Sequence, residues 1–372
     1  MFISSIPYPN FSDIFRVLFN KNKFSLDKVF LSENKGFYQY YSRGSDALAC
    51  LSISIGGKAP VVFIPSYYCN ESLDDLRNSS ATLVFYNVNL DMTPDWKHVE
   101  KLSTLYSEKI FVLTHYFGSV NDVDGAINFC NKNACELIHD CAHHLFPSEE
   151  IMRAPGFVLF SPHKLLPVPP LAFVLCNQYD AKRLIKAKKT LFKVSDGIWL
   201  MKRIAQKYLT FLSPSKLSQA PPVLSGLVTR RVWEVSTVSK FSILLLKAAC
   251  YKIANAQKSR VSNYKTLHHL LLSHGSNDRV ETFNLNKVIS PYSYVFTCPA
   301  NQQTNFYKYL RKCEVPVNTW PDLPPEVMED YDTYENSIRL RQTILLLPVH
   351  QSIKESQNNY IGYSLLKTLS GI

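Results

Sequence analysis

The sequence predicts an α/β fold: a large domain on a mostly parallel mixed sheet covered by helices, with a smaller C-terminal α+β domain. Three observations carry this. Short apolar runs at 61–64, 82–86, 110–114, 136–139, 157–161 and 171–176 are too brief for helices and apolar enough to be buried on both faces. Helix-length stretches at 71–77, 95–102 and 122–133 separate most of them, and strand alternating with helix makes parallel neighbours. The last two runs stand too close for a crossover helix, so one of that pair runs antiparallel.

Taken in order, residues 1–40 read as an N-terminal arm with a short amphipathic helix near 11–19. Arg43-Gly44-Ser45-Asp46-Ala47-Leu48 then opens an apolar helix that Ser45 or Asp46 can cap. The strands and helices above fill a large domain over 41–225. Pro and Ser become frequent over 212–224, and long helices follow at 230–256 and 259–273. The domain boundary is therefore placed near 220–235, with 226–372 forming the small domain behind a long linking helix. Residues 280–350 return to mixed strand and helix.

Composition narrows the function classes. With 372 residues, 46% of them hydrophobic and 13% aromatic, the chain can bury a full core and is not a disordered segment. Nine cysteines are an odd number and contain no CxxC pair, so they read as reduced thiols of a cytoplasmic protein rather than a disulfide framework or a zinc site; no metal is expected. The N-terminus lacks the basic-then-apolar order of a signal peptide, and the most apolar later run, 241–250, carries Lys247 and is too short to span a bilayer. The net charge of +11 is concentrated: 182–265 holds 18 Lys and Arg against Asp196 and Glu234, which leaves the remainder of the chain at −5. Such a segment suits nucleotide phosphates or contact with an anionic membrane surface, or is a set of solvated helix faces. No nucleic-acid-binding motif accompanies it, so nucleic acid is not an expected partner.

The chemistry concentrates in two places with one local grammar. Leu137-Ile138-His139-Asp140-Cys141-Ala142-His143 and Phe160-Ser161-Pro162-His163-Lys164 each end a buried strand in ionisable groups. Residues just past the carboxyl ends of parallel strands line the ligand crevice of an open sheet. Asp140 and Lys164 are the pair a pyridoxal phosphate enzyme requires: the amine to form a Schiff base, the carboxylate to keep the ring nitrogen protonated. Asp140 can instead cap the segment 141–145, and Lys164 can be a solvated loop charge. His143 can meet the cofactor's phenolic oxygen, or simply be a satisfied half-buried histidine. Gly44-Ser45-Asp46 offers a small-residue turn before a helix, a phosphate site by its N–H groups, to which Ser161 can add a hydroxyl. Pro65-Ser66-Tyr67-Tyr68 places aromatics where a planar ring can stack, or where they are ordinary core.

On these residues the chain resembles the DegT/DnrJ/EryC1/StrS family of sugar aminotransferases, most clearly over 42–176. Gly44-Ser45-Asp46-Ala47-Leu48 is similar to the family's phosphate-binding Gly-Thr-x-Ala-Leu. Val62-Phe63-Ile64-Pro65-Ser66-Tyr67 is similar to its strand followed by Pro-x-Tyr. His115-Tyr116-Phe117-Gly118 with Asp122-Val123-Asp124 resembles His-x-Tyr-Gly and Asp-Met-Asp. His139-Asp140-Cys141-Ala142-His143 stands in the place of Glu-Asp-Ala-Ala-Gln, and Ser161-Pro162-His163-Lys164 in that of the segment ending in the Schiff-base lysine. A looser match runs through 260–270 and 319–324 to Leu345-Leu346-Leu347-Pro348-Val349-His350-Gln351. The resemblance implies fold type I, pyridoxal 5'-phosphate as cofactor, Lys164 and Asp140 as catalytic residues, a homodimer, and transfer of an amino group from glutamate or a similar donor to a keto-sugar, nucleotide-linked, in polysaccharide or natural-product biosynthesis. The alternatives are another pyridoxal phosphate-dependent reaction on an amino acid or carbonyl compound, or a non-catalytic relative acting as a pathway partner. It implies Gly44, Ser45, Asp46, Tyr67, Tyr68, His143 and Ser161 as further cofactor contacts. Three departures stand out. Pro167-Val168-Pro169-Pro170 replaces a Gly-rich turn, His143 replaces Gln, and the segment that supplies an Asn to the partner's phosphate is not recognisable over 225–235, where Arg230 or Arg231 can substitute.

Overall fold

The computed structural model describes residues 3–9, 14, 26–32, 35–106, 109–208, 233–273, 281–283 and 288–371. The helix expected near 11–19, the domain boundary near 220–235 and most of the 225–235 segment fall almost wholly outside them.

Seven strands form the main sheet: β1 (Phe37–Tyr41), β2 (Val61–Pro65), β3 (Thr82–Tyr86), β4 (Lys109–Thr114), β5 (Glu136–Asp140), β6 (Phe157–Phe160) and β7 (Ala172–Cys176). Their order is β1-β7-β6-β5-β4-β2-β3, with β3, β2, β4, β5 and β6 mutually parallel and β7 antiparallel to β6. The close pair 157–161 and 171–176 thus turns back as its spacing requires. β1 departs from expectation: the sequence reading put 37–40 in the arm, whereas Phe-Tyr-Gln-Tyr-Tyr pairs antiparallel with β7 as the sheet's edge. Aromatic residues fit a half-buried pleated surface, and here only the inner end, Tyr40 and Tyr41, is buried.

Helices α1 (Gly44–Gly56), α2 (Trp96–Ser103) and α3 (Val123–Asn133) run between strands. The starts of α2 and α3 and the stop of α3 have local causes. Asp95 caps α2, its carboxylate accepting from the Lys97 and His98 N–H groups; Asp122 caps α3, accepting from the Gly125 N–H at 2.9 Å, and Ala134 ends it in the left-handed conformation. After β7 the chain forms a two-residue strand β8 (Lys189–Thr190) and helix α4 (Val194–Tyr208). It is next described at 233, and β9 (Val238–Ser239) pairs with β8. Where a single helix is expected over 230–256, the described residues instead run without helix over 233–237 into β9, then α5 (Lys240–Cys250), a turn, and α6 (Ile253–Ser273). Ser239 sets the break, because its hydroxyl accepts from the Ser242 N–H and starts α5 there.

The small domain has an antiparallel sheet of β10 (Glu281–Thr282), β11 (Ser293–Thr297) and β12 (Ile344–Pro348), packed against α6, α7 (Gln303–Lys312) and α9 (Glu355–Gly371), with α8 (Glu335–Thr343) leading into β12. Its core includes Leu267, Phe306, Leu310, Leu345, Leu347, Ile361 and Leu365, and Ile3 of the N-terminal arm is buried among them. Trp320, Leu323, Val327 and Ile338 instead join the large-domain core, so the two units share apolar contact around the carboxyl ends of the main strands.

Among the described residues no helix is long and apolar enough to cross a membrane. All nine cysteines are free.

Candidate active site

A cavity of about 670 Å³ opens where the carboxyl ends of β2, β4, β5 and β6 meet the start of α1, the small-domain segments 318–322 and 346–350, and arm residues Ser5 to Pro7. Of the residues singled out in the sequence, Gly44, Ser45, Tyr68, Asp140, His143, Ser161 and Lys164 lie on its wall.

Asp140 ends β5 and is buried. Its Oδ2 accepts a 2.6 Å hydrogen bond from the Tyr68 hydroxyl, and its Oδ1 accepts from the Ala142 N–H at 2.9 Å. The 141–145 segment is turn rather than helix, so the carboxylate closes a local turn with one oxygen and keeps lone-pair capacity on both. Lys164 ends a short turn, Pro162–Lys164, after β6, and its Nζ stands 3.4 Å from His143 Nε2. The His143 ring lies flat against Tyr292 (centroids 4.3 Å apart, 15° between planes), and its Nδ1 accepts from the Phe117 N–H at 3.4 Å. Burial, with Lys164 adding to it, holds His143 well below the ordinary histidine range, so the ring is neutral.

The next carbonyl after Lys164, that of Leu165, is fixed by two donors from the small domain: Arg260 Nη2 at 2.9 Å and Gln351 Nε2 at 3.0 Å. Arg260 is 1% exposed and also donates to the carbonyls of Pro291 and Tyr292 and to Gln351 Oε1. No carboxylate pairs with it among the described residues; burial pulls its guanidinium down to about 10.

The start of α1 is open. Arg43 precedes it in extended backbone with no side-chain cap, and a methyl on Gly44 would come within 2.8 Å of the Ser161 hydroxyl. A glycine is needed for that approach, and it leaves first-turn N–H groups beside a hydroxyl, the donor set an anion takes at a helix N-terminus. Ser45 directs its own hydroxyl to Asp75 at 2.6 Å, where Arg43 also pairs.

Two sequence-derived candidates stand away from the wall. Asp46 faces the opposite side of the helix start: it is buried, accepts from Ser42 and from the Ser236 N–H, and burial raises its carboxyl. Tyr67 is buried behind the wall, its ring stacked on Trp320 at 4.5 Å. His163, next to Lys164, turns to the Leu171 carbonyl and is held down to about 4 by burial.

Behind Asp140 lies a belt of neutral histidines. The Asn121 N–H donates to His115 Nδ1 at 3.0 Å, which leaves His115 Nε2–H to donate to His139 Nδ1 at 3.1 Å and His139 Nε2–H to the Pro155 carbonyl at 3.2 Å. Each tautomer follows from the backbone group at either end. Arg260, Tyr292, Trp320 and the arm residues are not identifiable as site residues from sequence. They carry no strand-end signature and arrive from distant parts of the chain, whereas His115 directly follows β4 and carries the same strand-end signal as Asp140.

No family model and no curated protein matches the chain. Solved structures do match in fold. One is NtdA from Bacillus subtilis, with bound cofactor PMP (TM-score 0.71, 13% identity, 99% of this chain and 85% of that one). Another is PseC from Helicobacter pylori, an aminotransferase of pseudoaminic acid biosynthesis (TM-score 0.70, 14% identity, all of both chains). A third is 3-amino-5-hydroxybenzoic acid synthase (TM-score 0.65, 12% identity, 99% of this chain and all of that one). The large-domain sheet and the small domain behind it are therefore the fold these proteins share.

Proposed function

We propose that the chain is a pyridoxal phosphate-dependent aminotransferase that moves an amino group from glutamate or a similar donor to a keto-sugar, nucleotide-linked, in a biosynthetic pathway. One observation carries this reading: Lys164, Asp140 and the uncapped, glycine-opened start of α1 converge on one cavity in a fold shared with such enzymes. The donor set fits the cofactor. The α1 N-terminus with Ser161 would hold its phosphate, Asp140 its ring nitrogen and Lys164 its aldehyde carbon. When bound, the cofactor supplies an electron sink for the substrate carbon that gains or loses the amine.

The chain's own residues supply the rest. Tyr68 and the Ala142 N–H orient the Asp140 carboxylate, which would keep a proton on the ring nitrogen. Lys164 Nζ would take and return the proton at the reacting carbon, and neutral His143 beside it limits where that amine can stand. The Arg260 and Gln351 donors fix the backbone one residue beyond Lys164. The keto-sugar and the homodimer rest on the sequence resemblance, and PseC, with its role in pseudoaminic acid biosynthesis, supports the substrate class.

The test is a visible spectrum of purified protein with added pyridoxal phosphate, repeated with Lys164→Ala. The wild type is expected to develop a cofactor band that borohydride fixes covalently, and the variant to lose both band and activity by roughly 10³-fold or more. A folded wild type with no band would overturn the proposal. Screening keto-sugars with glutamate then addresses the substrate.

A further inference from the structure

Part of the basic segment keeps an apolar helix face in solvent. α4 is anchored on one side: Trp199 is buried, and the buried Asp196 carboxylate accepts from the Lys193 N–H at 2.9 Å and the Ser242 hydroxyl at 3.1 Å. On the opposite side Val194, Ile198 and Met201 follow at spacings of four and three, a single stripe, and are 82%, 52% and 66% exposed. Leu191 and Phe192, in the turn that enters the helix, extend the stripe at 75% and 50% exposed. Lys182, Lys186, Lys188, Lys189 and Lys202 are exposed too. Residues 182–206 contain eight Lys and Arg and a single acid, Asp196, whose carboxylate is turned inward.

We propose that this shoulder docks the protein on an anionic lipid bilayer, the apolar stripe entering the headgroup boundary and the lysines meeting lipid phosphates. An apolar stripe with basic residues around it and no exposed acid is the pattern of helices that lie on membranes, and each lysine near such a surface adds attraction that salt screens. The charge argues against the rival occupant. A second copy seated with this face on its two-fold axis would bring two basic clusters together as water leaves, and like charges at an interface oppose association. No residue of 182–206 lines the cavity, so the docking face is separate from the chemistry and stands independently of the proposed activity.

The experiment is co-sedimentation of the full-length protein with vesicles of phosphatidylcholine alone or mixed with phosphatidylserine, at low and high salt. Alongside it run Ile198→Glu/Met201→Glu and Lys188→Glu/Lys189→Glu, each checked by circular dichroism, with oligomeric state measured by light scattering. The wild type is expected to pellet with the anionic vesicles only and to be released by high salt, each double variant losing at least about tenfold in partitioning. The wild-type salt and lipid dependence stands as the test even where a variant misfolds. Failure to pellet with anionic vesicles at low salt would overturn the proposal, as would binding that the folded variants leave unchanged. So would a wild-type oligomer that Ile198→Glu/Met201→Glu splits into monomers, since the face would then be a subunit interface.

Discussion

The two walls of the cavity are built on opposite plans. On the large-domain side the side chains themselves face the cavity: Asp140, His143, Ser161 and Lys164 each lie at the end of a parallel strand or within four residues of it. On the small-domain side Arg260 and Gln351 spend their donors on backbone carbonyls, including the one next to Lys164. One wall presents functional groups and the other holds main chain still. A site of this kind divides chemistry from positioning between elements far apart in sequence, and the two roles fail differently when disturbed.

Acid should separate them most strongly. The large-domain side buries His115, His139, His143, His144 and His163 as neutral rings. His139 is held down to about 3, His144 and His163 to about 4, and His115 and His143 well below normal, burial being the first cause in each. On the small-domain side His350, also pushed to about 4, donates to the Ser4 carbonyl and ties the arm down. A histidine whose folded value is depressed takes up its proton first in the unfolded chain. Stability is therefore unaffected above about pH 6.5 and falls as pH drops from there toward 4, by about 1.4 kcal/mol per pH unit for each such ring. Urea midpoints measured from pH 7.5 to 4.5 should decline steeply below pH 6.5, and His139→Gln should flatten that slope by close to one proton's worth. An unchanged slope would mean that these rings take up protons without unfolding.

Arg260 probes the other wall. Arg260→Ala removes donors to three carbonyls and to Gln351. The Leu165 carbonyl keeps its Gln351 donor, those of Pro291 and Tyr292 lose the Arg260 donors, and unsatisfied buried acceptors cost about 1–3 kcal/mol each. A loss of about 3–5 kcal/mol in unfolding free energy, read from urea curves, is expected. Arg260→Lys should recover part of the stability but not the forked geometry, so kcat should stay depressed while KM changes little. A variant equal to wild type in kcat would reduce Arg260 to a purely structural residue.

How much of this can be read from sequence follows from the same division. Strand periodicity finds six of the seven strands and the β6–β7 reversal, and strand-end position puts Asp140 and Lys164 on the cavity wall, because those signals are local. Phe37–Tyr41 escapes as a strand because an edge strand's partner, β7, lies over a hundred residues away, and no turn signal joins them. The helix-start and strand-end positions, with the resemblance, put Asp46 and Tyr67 among the expected cofactor contacts, yet a helix turns successive side chains by about 100° and a residue entering a loop can face either way. Asp46 accordingly faces Ser42 and Ser236, and Tyr67 faces Trp320. Arg260 and Gln351 fall within the looser part of the resemblance. Their roles depend on where the Leu165 carbonyl lies, which only the tertiary fold reveals.

The smallest expected effect gives the sharpest reading of the phosphate position. Gly44→Ala puts a methyl within 2.8 Å of the Ser161 hydroxyl, which can rotate away, so stability should change by no more than about 1 kcal/mol. Combined with Ser161→Ala, the contact with the hydroxyl is gone and stability should return to that of Ser161→Ala alone. Cofactor affinity should behave otherwise. If the phosphate rests on the first turn of α1, the methyl added by Gly44→Ala still intrudes on it. The double variant should then bind pyridoxal phosphate about tenfold more weakly than Ser161→Ala by titration of the visible band. Full recovery of affinity in the double variant would place the phosphate elsewhere and leave Gly44 as a packing residue, aligning this corner of the large-domain wall with the positioning role of the small domain.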